Sequence, residues 1–364
     1  MKTQRNVAVG IAYFMRILQI GPYAPPHGGV QANLAAIRAA LMKRGIPCAV
    51  MVITRSVPNA TDQDIYRPSN AFQSLWLLMR LRYGIIHLHM GGMLTMRLVF
   101  LTLFCSLMPR SKSVLTFHSG GYPRTPAGRS ARARTLRGFV FRRLDRIIAV
   151  NEEIAEMFKK FGVAPARIRI ISPHVITDPP HDTLLPETFS NFRQGHEPLL
   201  ITVSGLEEAY DQPTQVEALG LVRERFPQAG LVIVGSGSLE QKISEVIESK
   251  SYASHILLCG DVAHAATLRM MAESDLFLRT TLYDGDSISV REAMYLGTPV
   301  IATNNATRPD GVELVPPSDP HALQQAIERR ILNGGAHVSI SENGEENIEA
   351  VLRLYQELAQ DIAT

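Results

Sequence analysis

Two carboxylates with seven residues between them, Asp284 and Glu292, stand in the stretch TTLYDGDSISVREAMYLGTPVIAT that begins at Thr280. A carboxylate accepts several hydrogen bonds and suits vicinal hydroxyls, and eight positions along a helix set such a pair about two turns apart. Between them Gly285, Asp286, Ser287 and Ile288 open the helix, where the first amides and the positive end of the dipole suit a diphosphate. Taken singly, the same acids also read as an N-cap and an ordinary helix residue. Other candidates lie at the ends of short apolar runs. His118 follows SVLTF, and Gly28 and Gly29 precede an amphipathic run, where a glycine lets a phosphate or sugar oxygen approach the backbone. His87 and His89 alternate and share a face, but no carboxylate or cysteine accompanies them at metal-ligand spacing, so no metal is expected. Eight arginines lie from Arg124 to Arg146 against one acid, Asp145. Within them Arg129, Arg132, Arg134 and Arg137 suit an anionic membrane surface or a phosphorylated acceptor, or equally a solvated face offsetting acidic charge elsewhere.

The elements that must position these residues follow from the rest of the chain. Its 364 residues, 46% apolar and 20% charged, exclude disordered, collagenous and coiled-coil classes and predict two domains. Residues 1–195 carry a net charge of +17 and residues 196–364 one of −14. The basic half is suited to an anionic partner. Nucleic acid fits poorly, because stacking aromatics are sparse in the basic segment and the second half is acidic. Cys48, Cys105 and Cys259 are far apart in apolar surroundings, as reduced cytosolic thiols are. β-Branched runs alternate with amphipathic ones, which predicts an α/β architecture of two tandem doubly wound, Rossmann-like domains with their ligand crevices facing across a cleft. The expected order is a ragged extension over 1–14, a first domain over 15–175, a linker over 176–198, a second domain over 199–340, and a helix within 341–364 that packs back on the first domain. No convincing leader is present, and the greasy run Met93–Met108 is too short to span a bilayer. The chain is expected to be cytoplasmic, peripheral on the inner face of the membrane at most.

With these residues in place, the chain resembles the family 4 retaining glycosyltransferases of the GT-B fold. The likeness is carried by Gly28-Gly29, by TFHSGG around His118, by RLDRIIAVNEEIAEMFKKFGVAPARIRIISPHV, by LVIVGSGSLE with Gly235, by CGDV ending at Val262, and by the acidic motif. The family's paired glutamates are here Asp284 and Glu292, with the spacing kept. The resemblance implies a nucleoside diphosphate sugar as donor, a saccharide or lipid-linked acceptor, and no cofactor or metal. It assigns His118 and Asp284 to the donor sugar and Glu292 to the ribose. Gly235, Val262 and the amides of Gly285, Asp286, Ser287 and Ile288 complete the donor site. One departure is serious. Most members place an Arg and a Lys after the first strand of the second domain, whereas VSGLEEAYDQPTQ, from Val203 to Gln215, has neither. Leu206, Glu207, Tyr210 and Asp211 match a subgroup, which usually has Arg where Ser204 stands. The donor's charge must then be met by helix dipoles, by Arg279, Arg291 or Arg308, or by the basic first domain. Failing that, the chain binds a nucleotide sugar or glycan without transfer. An epimerase, a phosphorylase or a dehydrogenase fits less well, the last because no G-x-G-x-x-G follows the first strand.

Overall fold

The computed structural model describes residues 16–23, 28–54, 63–176, 182–305, 307–333 and 344–363. The expected extension over 1–14 lies outside them. Two compact units divide the chain near Val175 and again at Gly344, after which it rejoins the first unit.

The first unit runs β1 (Ile17–Gly21), α1 (Gly29–Lys43), β2 (Cys48–Val52), β3 (Ile65–Tyr66), α2 (Ala71–Arg80), β4 (Ile85–Met90), α3 (Met96–Ser106) and β5 (Lys112–Phe117). It continues through the short helices α4 (Pro126–Arg129) and α5 (Leu136–Phe141) to β6 (Arg146–Ala149), α6 (Glu152–Lys160) and β7 (Ile168–Ile170). The seven strands are parallel in the order β3-β2-β1-β4-β5-β6-β7. Strands sandwiched between helix layers are apolar on both faces, so β1, β2 and β4 are buried throughout. Leu18, Leu88 and Phe117 pack one face against Leu78 of α2, Val99 of α3 and Val140 of α5. The basic segment is not one amphipathic helix. Thr125 and Thr135 each cap a separate short helix through a side-chain oxygen, at Gly128 and Gly138.

The second unit begins with α7 (Glu187–Gln194), β8 (Leu199–Val203), α8 (Gln212–Arg223), β9 (Gly230–Val234), α9 (Glu240–Glu248) and β10 (Ile256–Gly260). It proceeds through α10 (His264–Ala272), β11 (Leu276–Arg279), α11 (Ile288–Tyr295), β12 (Val300–Thr303), β13 (Glu313–Val315) and α12 (Pro320–Asn333). The stretch expected as linker therefore holds a helix, and Phe189 of α7 is fully buried against Leu199 and Phe277, which ties it to this core. The six strands are parallel in the order β10-β9-β8-β11-β12-β13. Strand order reverses between β8 and β11, and ligand crevices of such sheets open beyond the carboxyl ends at that point.

The final helix, α13 (Glu345–Ala363), lays Ile348, Val351, Leu352 and Tyr355 on the other face of the first sheet, against Ile17, Ile85 and Val114. Gly344 admits the chain there. Its φ is +76°, and a Cβ on it would meet the His174 carbonyl at 2.4 Å.

Candidate active site

In the second unit, β11 delivers Arg279 to the sheet edge and α11 starts nine residues later. The Arg279 side chain is only 8% exposed. Its Nε and Nη2 donate to the two oxygens of Asp284 at 3.0 and 3.3 Å, and Nη1 donates to the Val203 carbonyl at 3.0 Å. That carbonyl ends β8, so the guanidinium bridges the two strands between which the order reverses. The Tyr210 ring lies beneath it, 4.9 Å from centroid to guanidinium carbon, and Ser289 Oγ in the first turn of α11 is 3.4 Å away.

Asp284 takes a second cation. Arg308 Nη1 donates to its Oδ2 at 2.9 Å, Thr281 Oγ1 donates to the same oxygen at 3.1 Å, and Arg308 Nη2 donates to Thr281 Oγ1 at 2.6 Å. Burial would raise the Asp284 pKa, but the guanidiniums of Arg279 and Arg308 outweigh it and hold the carboxyl below its usual value. Two arginines against one carboxylate leave the cluster net positive. Oδ2 carries three of these bonds and Oδ1 one, so Oδ1 is the oxygen with room for a hydroxyl.

Asp286 accepts from Arg291 Nε at 2.7 Å, an i,i+5 bond that ties the loop to α11. Ser287 caps that helix without a side-chain hydrogen bond to it, and its hydroxyl turns instead to Ser289 Oγ at 3.3 Å. The N-cap side chain thus takes none of the first-turn amides, which suits a helix start to an anion. Ile288 begins the helix and is buried. Gly235 has φ +133°, and a Cβ there would lie 1.9 Å from the Ser204 carbonyl, so only glycine fits. Val262 presents its carbonyl to Thr267 Oγ1 at 3.3 Å, just before α10.

Glu292 is buried, and His264 at the start of α10 binds its Oε1 through Nε2 at 2.7 Å. His264 lies two residues beyond Val262, outside every motif the sequence displays. Burial lowers the His264 pKa, but Glu292 more than offsets that and the net shift is upward. A raised pKa means that the charged pair stabilises fully below the ordinary value of 6.5 and that this contribution fades as pH rises through the higher folded value. His264→Gln should therefore lower the Tm near pH 6 and make progressively less difference toward about pH 9. A deficit independent of pH would show that the pairing with Glu292 does not raise the His264 pKa.

In the first unit, His118 follows β5 and its amide donates to the Met90 carbonyl at 2.7 Å. Burial pushes the imidazole down to about 3, so it is neutral at working pH. Its Nε2 has no partner among the described residues. His89 stacks on it with ring centroids 5.8 Å apart, and His87 is committed to Tyr355 Oη at 2.5 Å and Thr116 Oγ1 at 2.7 Å. Among the described residues no cluster of three His, Cys, Asp or Glu side chains is arranged to hold a metal ion. Gly28 and Gly29 stand where α1 begins. Arg132 and Arg134 are exposed, Arg129 is exposed with its Nε on the Arg124 carbonyl, and Arg137 is half-buried.

Residues 27–178 match the model of Glycosyltransferase Family 4, and residues 186–347 match that of Glycosyl transferases group 1. A GDP-mannose-dependent alpha-(1-6)-phosphatidylinositol monomannoside mannosyltransferase of Mycobacterium tuberculosis is 29% identical over 54% of this chain and 52% of its own length. The amylovoran biosynthesis glycosyltransferase AmsK of Erwinia amylovora is 28% identical over 39% of this chain and 38% of its own. The chain thus spans about half or less of these relatives' length. The structure of Anabaena HepE with UDP-glucose superposes with a TM-score of 0.69 at 17% identity, covering 95% of this chain and 99% of that one. That likeness is one of fold.

Proposed function

The chain belongs to the group 1, family 4 glycosyltransferases, and from that premise we propose that it transfers a hexosyl group from a nucleoside diphosphate sugar to a hydroxyl of a saccharide or lipid-linked acceptor, with retention and without a metal. The pathway class is polysaccharide or glycolipid assembly, as for the relatives named above. The observation that carries the reading is the net-positive Arg279–Asp284–Arg308 cluster beside the start of α11, whose N-cap Ser287 makes no side-chain bond to the helix amides, with Glu292 deeper on the same helix. Charge builds on the departing diphosphate as the anomeric C–O bond breaks, and preorganised donors aimed at that charge lower the barrier. The acceptor oxygen bonds to the anomeric carbon on the face the diphosphate leaves, and its proton passes to a diphosphate oxygen. Glu292 accepts ribose hydroxyls through Oε2, its other oxygen being occupied by His264. Asp284 Oδ1 accepts a sugar hydroxyl. His118, as a neutral imidazole, holds another.

Calorimetry over a panel of UDP-, GDP- and ADP-sugars, followed by release of nucleoside diphosphate with saccharide and lipid-linked acceptors, tests the proposal. One donor class should bind and turn over with its anomeric configuration kept. His118→Ala should slow turnover by about tenfold to a hundredfold while nucleotide affinity is unchanged, as loss of a sugar contact requires. Binding without release across the acceptor panel would favour a protein that only holds its ligand.

A further inference from the structure

The eighty residues between Asp64 and Asp145 contain no Asp or Glu and thirteen Lys and Arg. The fold collects much of that charge with an unusual amount of apolar surface. Helices α2, α3 and α5 cover one face of the first sheet, each contributing inward residues to a single core. Outward, α2 presents Phe72, Trp76 and Met79 at i, i+4 and i+7, with Phe72 79% and Met79 62% exposed. Helix α3 presents Met96 and Phe100, the latter 57% exposed, and α5 presents Phe139. Burying Leu78 and Val99 accounts for the inner faces of α2 and α3 but leaves these outer ones unexplained.

Arginines stand among the exposed rings. Arg80 lies over Trp76 at 4.9 Å and Arg143 over Phe139 at 5.7 Å. Arg80, Arg82 and Arg97 are exposed and pair with no carboxylate among the described residues. A helix that pairs exposed aromatic and Met side chains with flanking arginines suits the headgroup boundary of a bilayer, where rings enter the acyl edge and guanidiniums meet phosphate. No helix among the described residues is long and apolar enough to cross a membrane.

We propose that this face of the first unit, led by α2 and α3, docks on an anionic lipid bilayer. Charge complementarity selects the occupant. A polynucleotide would use the arginines but would leave the exposed Met side chains and Phe72 and Phe100 wet, whereas a lipid surface uses both. The expected basic patch of Arg129, Arg132, Arg134 and Arg137 lies in the same acid-free stretch and adds to the electrostatic attraction through its three exposed members, with Arg137 half-buried, but the insertion is made by helices earlier in the chain. The proposal deepens the lipid-linked reading of the acceptor and rests on that reading only for its purpose.

Trp76 is the sole tryptophan, so its fluorescence reports the face directly. With the full chain, phosphatidylglycerol-rich vesicles should shift its emission to the blue, and brominated acyl chains should quench it. Phosphatidylcholine vesicles should do neither, and molar salt should reverse most of the effect. The double variant Phe72→Ser, Phe100→Ser, which retains Trp76, should partition about tenfold less. Arg80→Gln with Arg97→Gln should weaken binding and flatten its salt dependence. Sugar-nucleotide affinity, measured by calorimetry on the same samples, should stay at the wild-type value in all variants. An emission maximum that ignores anionic vesicles, or that moves equally with single-stranded RNA, overturns the docking proposal even if nucleotide binds. Vesicle insertion without binding of any sugar nucleotide leaves it standing and instead overturns the transferase reading.

Discussion

Replacing Arg279 by Met should lower kcat by about 10²- to 10³-fold, roughly 3–4 kcal/mol of transition-state stabilisation, with a smaller change in KM. The loop from Val203 to Gln215 carries no Arg or Lys, yet the Arg279 guanidinium lies against the Val203 carbonyl, 3.4 Å from Ser289 in the first turn of α11. A cation is thus supplied to that edge from β11 rather than from the loop after β8. Burial alone would make the Arg279 guanidinium easier to deprotonate, but Asp284 reverses that, so the group stays charged at every working pH. In the transfer proposed above, a guanidinium fixed before the donor's C–O bond breaks would gain interaction energy as charge develops. Steady-state kinetics with the donor identified by the panel measures the split. Lys at 279 retains the charge but not the fork, and should restore only part of the rate. A wild-type kcat in Arg279→Met would assign the leaving-group charge to the helix dipole alone.

The second expectation concerns Asp284 as a cornerstone of the fold. Asp284→Asn should destabilise the second unit by about 3–5 kcal/mol, since it leaves two buried guanidiniums without their carboxylate, and lower its Tm by roughly 10 °C. Arg308 shares the cost, because its Nη1 bond to Asp284 is one of three that hold it, with the Thr303 carbonyl and Thr281 Oγ1. A carboxyl held below its usual pKa contributes fully above the ordinary value near 3.8 and loses that contribution as pH falls through the lower folded value. The gap between wild type and variant should therefore be constant from neutral pH to about pH 4 and narrow only below it. Added nucleoside diphosphate should recover part of the lost Tm, because an anion supplies the charge that was removed. Calorimetric melting across that range checks both statements, and a variant that melts with wild type would reduce the triad to a surface ornament.

Much of this was legible from residues alone. Strands β8, β9 and β11 are readable in the sequence because each is a short buried apolar run closed by a polar or glycine-containing loop. Strands β3 and β13, two and three residues long, are too brief to display a period. The spacing of Asp284 and Glu292 singled out the acidic motif, but not the partners of either acid. Arg308 lies 24 residues from Asp284, and only the adjacency of β11 and β12 brings them together. His264 resembles any polar residue at a helix start until tertiary structure sets it on Glu292. Phe72, Trp76 and Met79 had a readable helical spacing, but spacing alone does not say whether such a stripe faces inward or outward.

The course of α13 has a consequence for synthesis. Tyr355 fills the layer against Ile17, Ile85 and Val114 and reaches the imidazole of His87, so among the described helices only α1, through Ile37 and Leu41, covers that face of the first sheet until the segment from Glu345 has been made. The second unit has the last of its described strands by residue 315, before the helix that completes the first unit begins at Glu345. The order in which the two units gain their last elements thus runs against the order in which they begin along the chain.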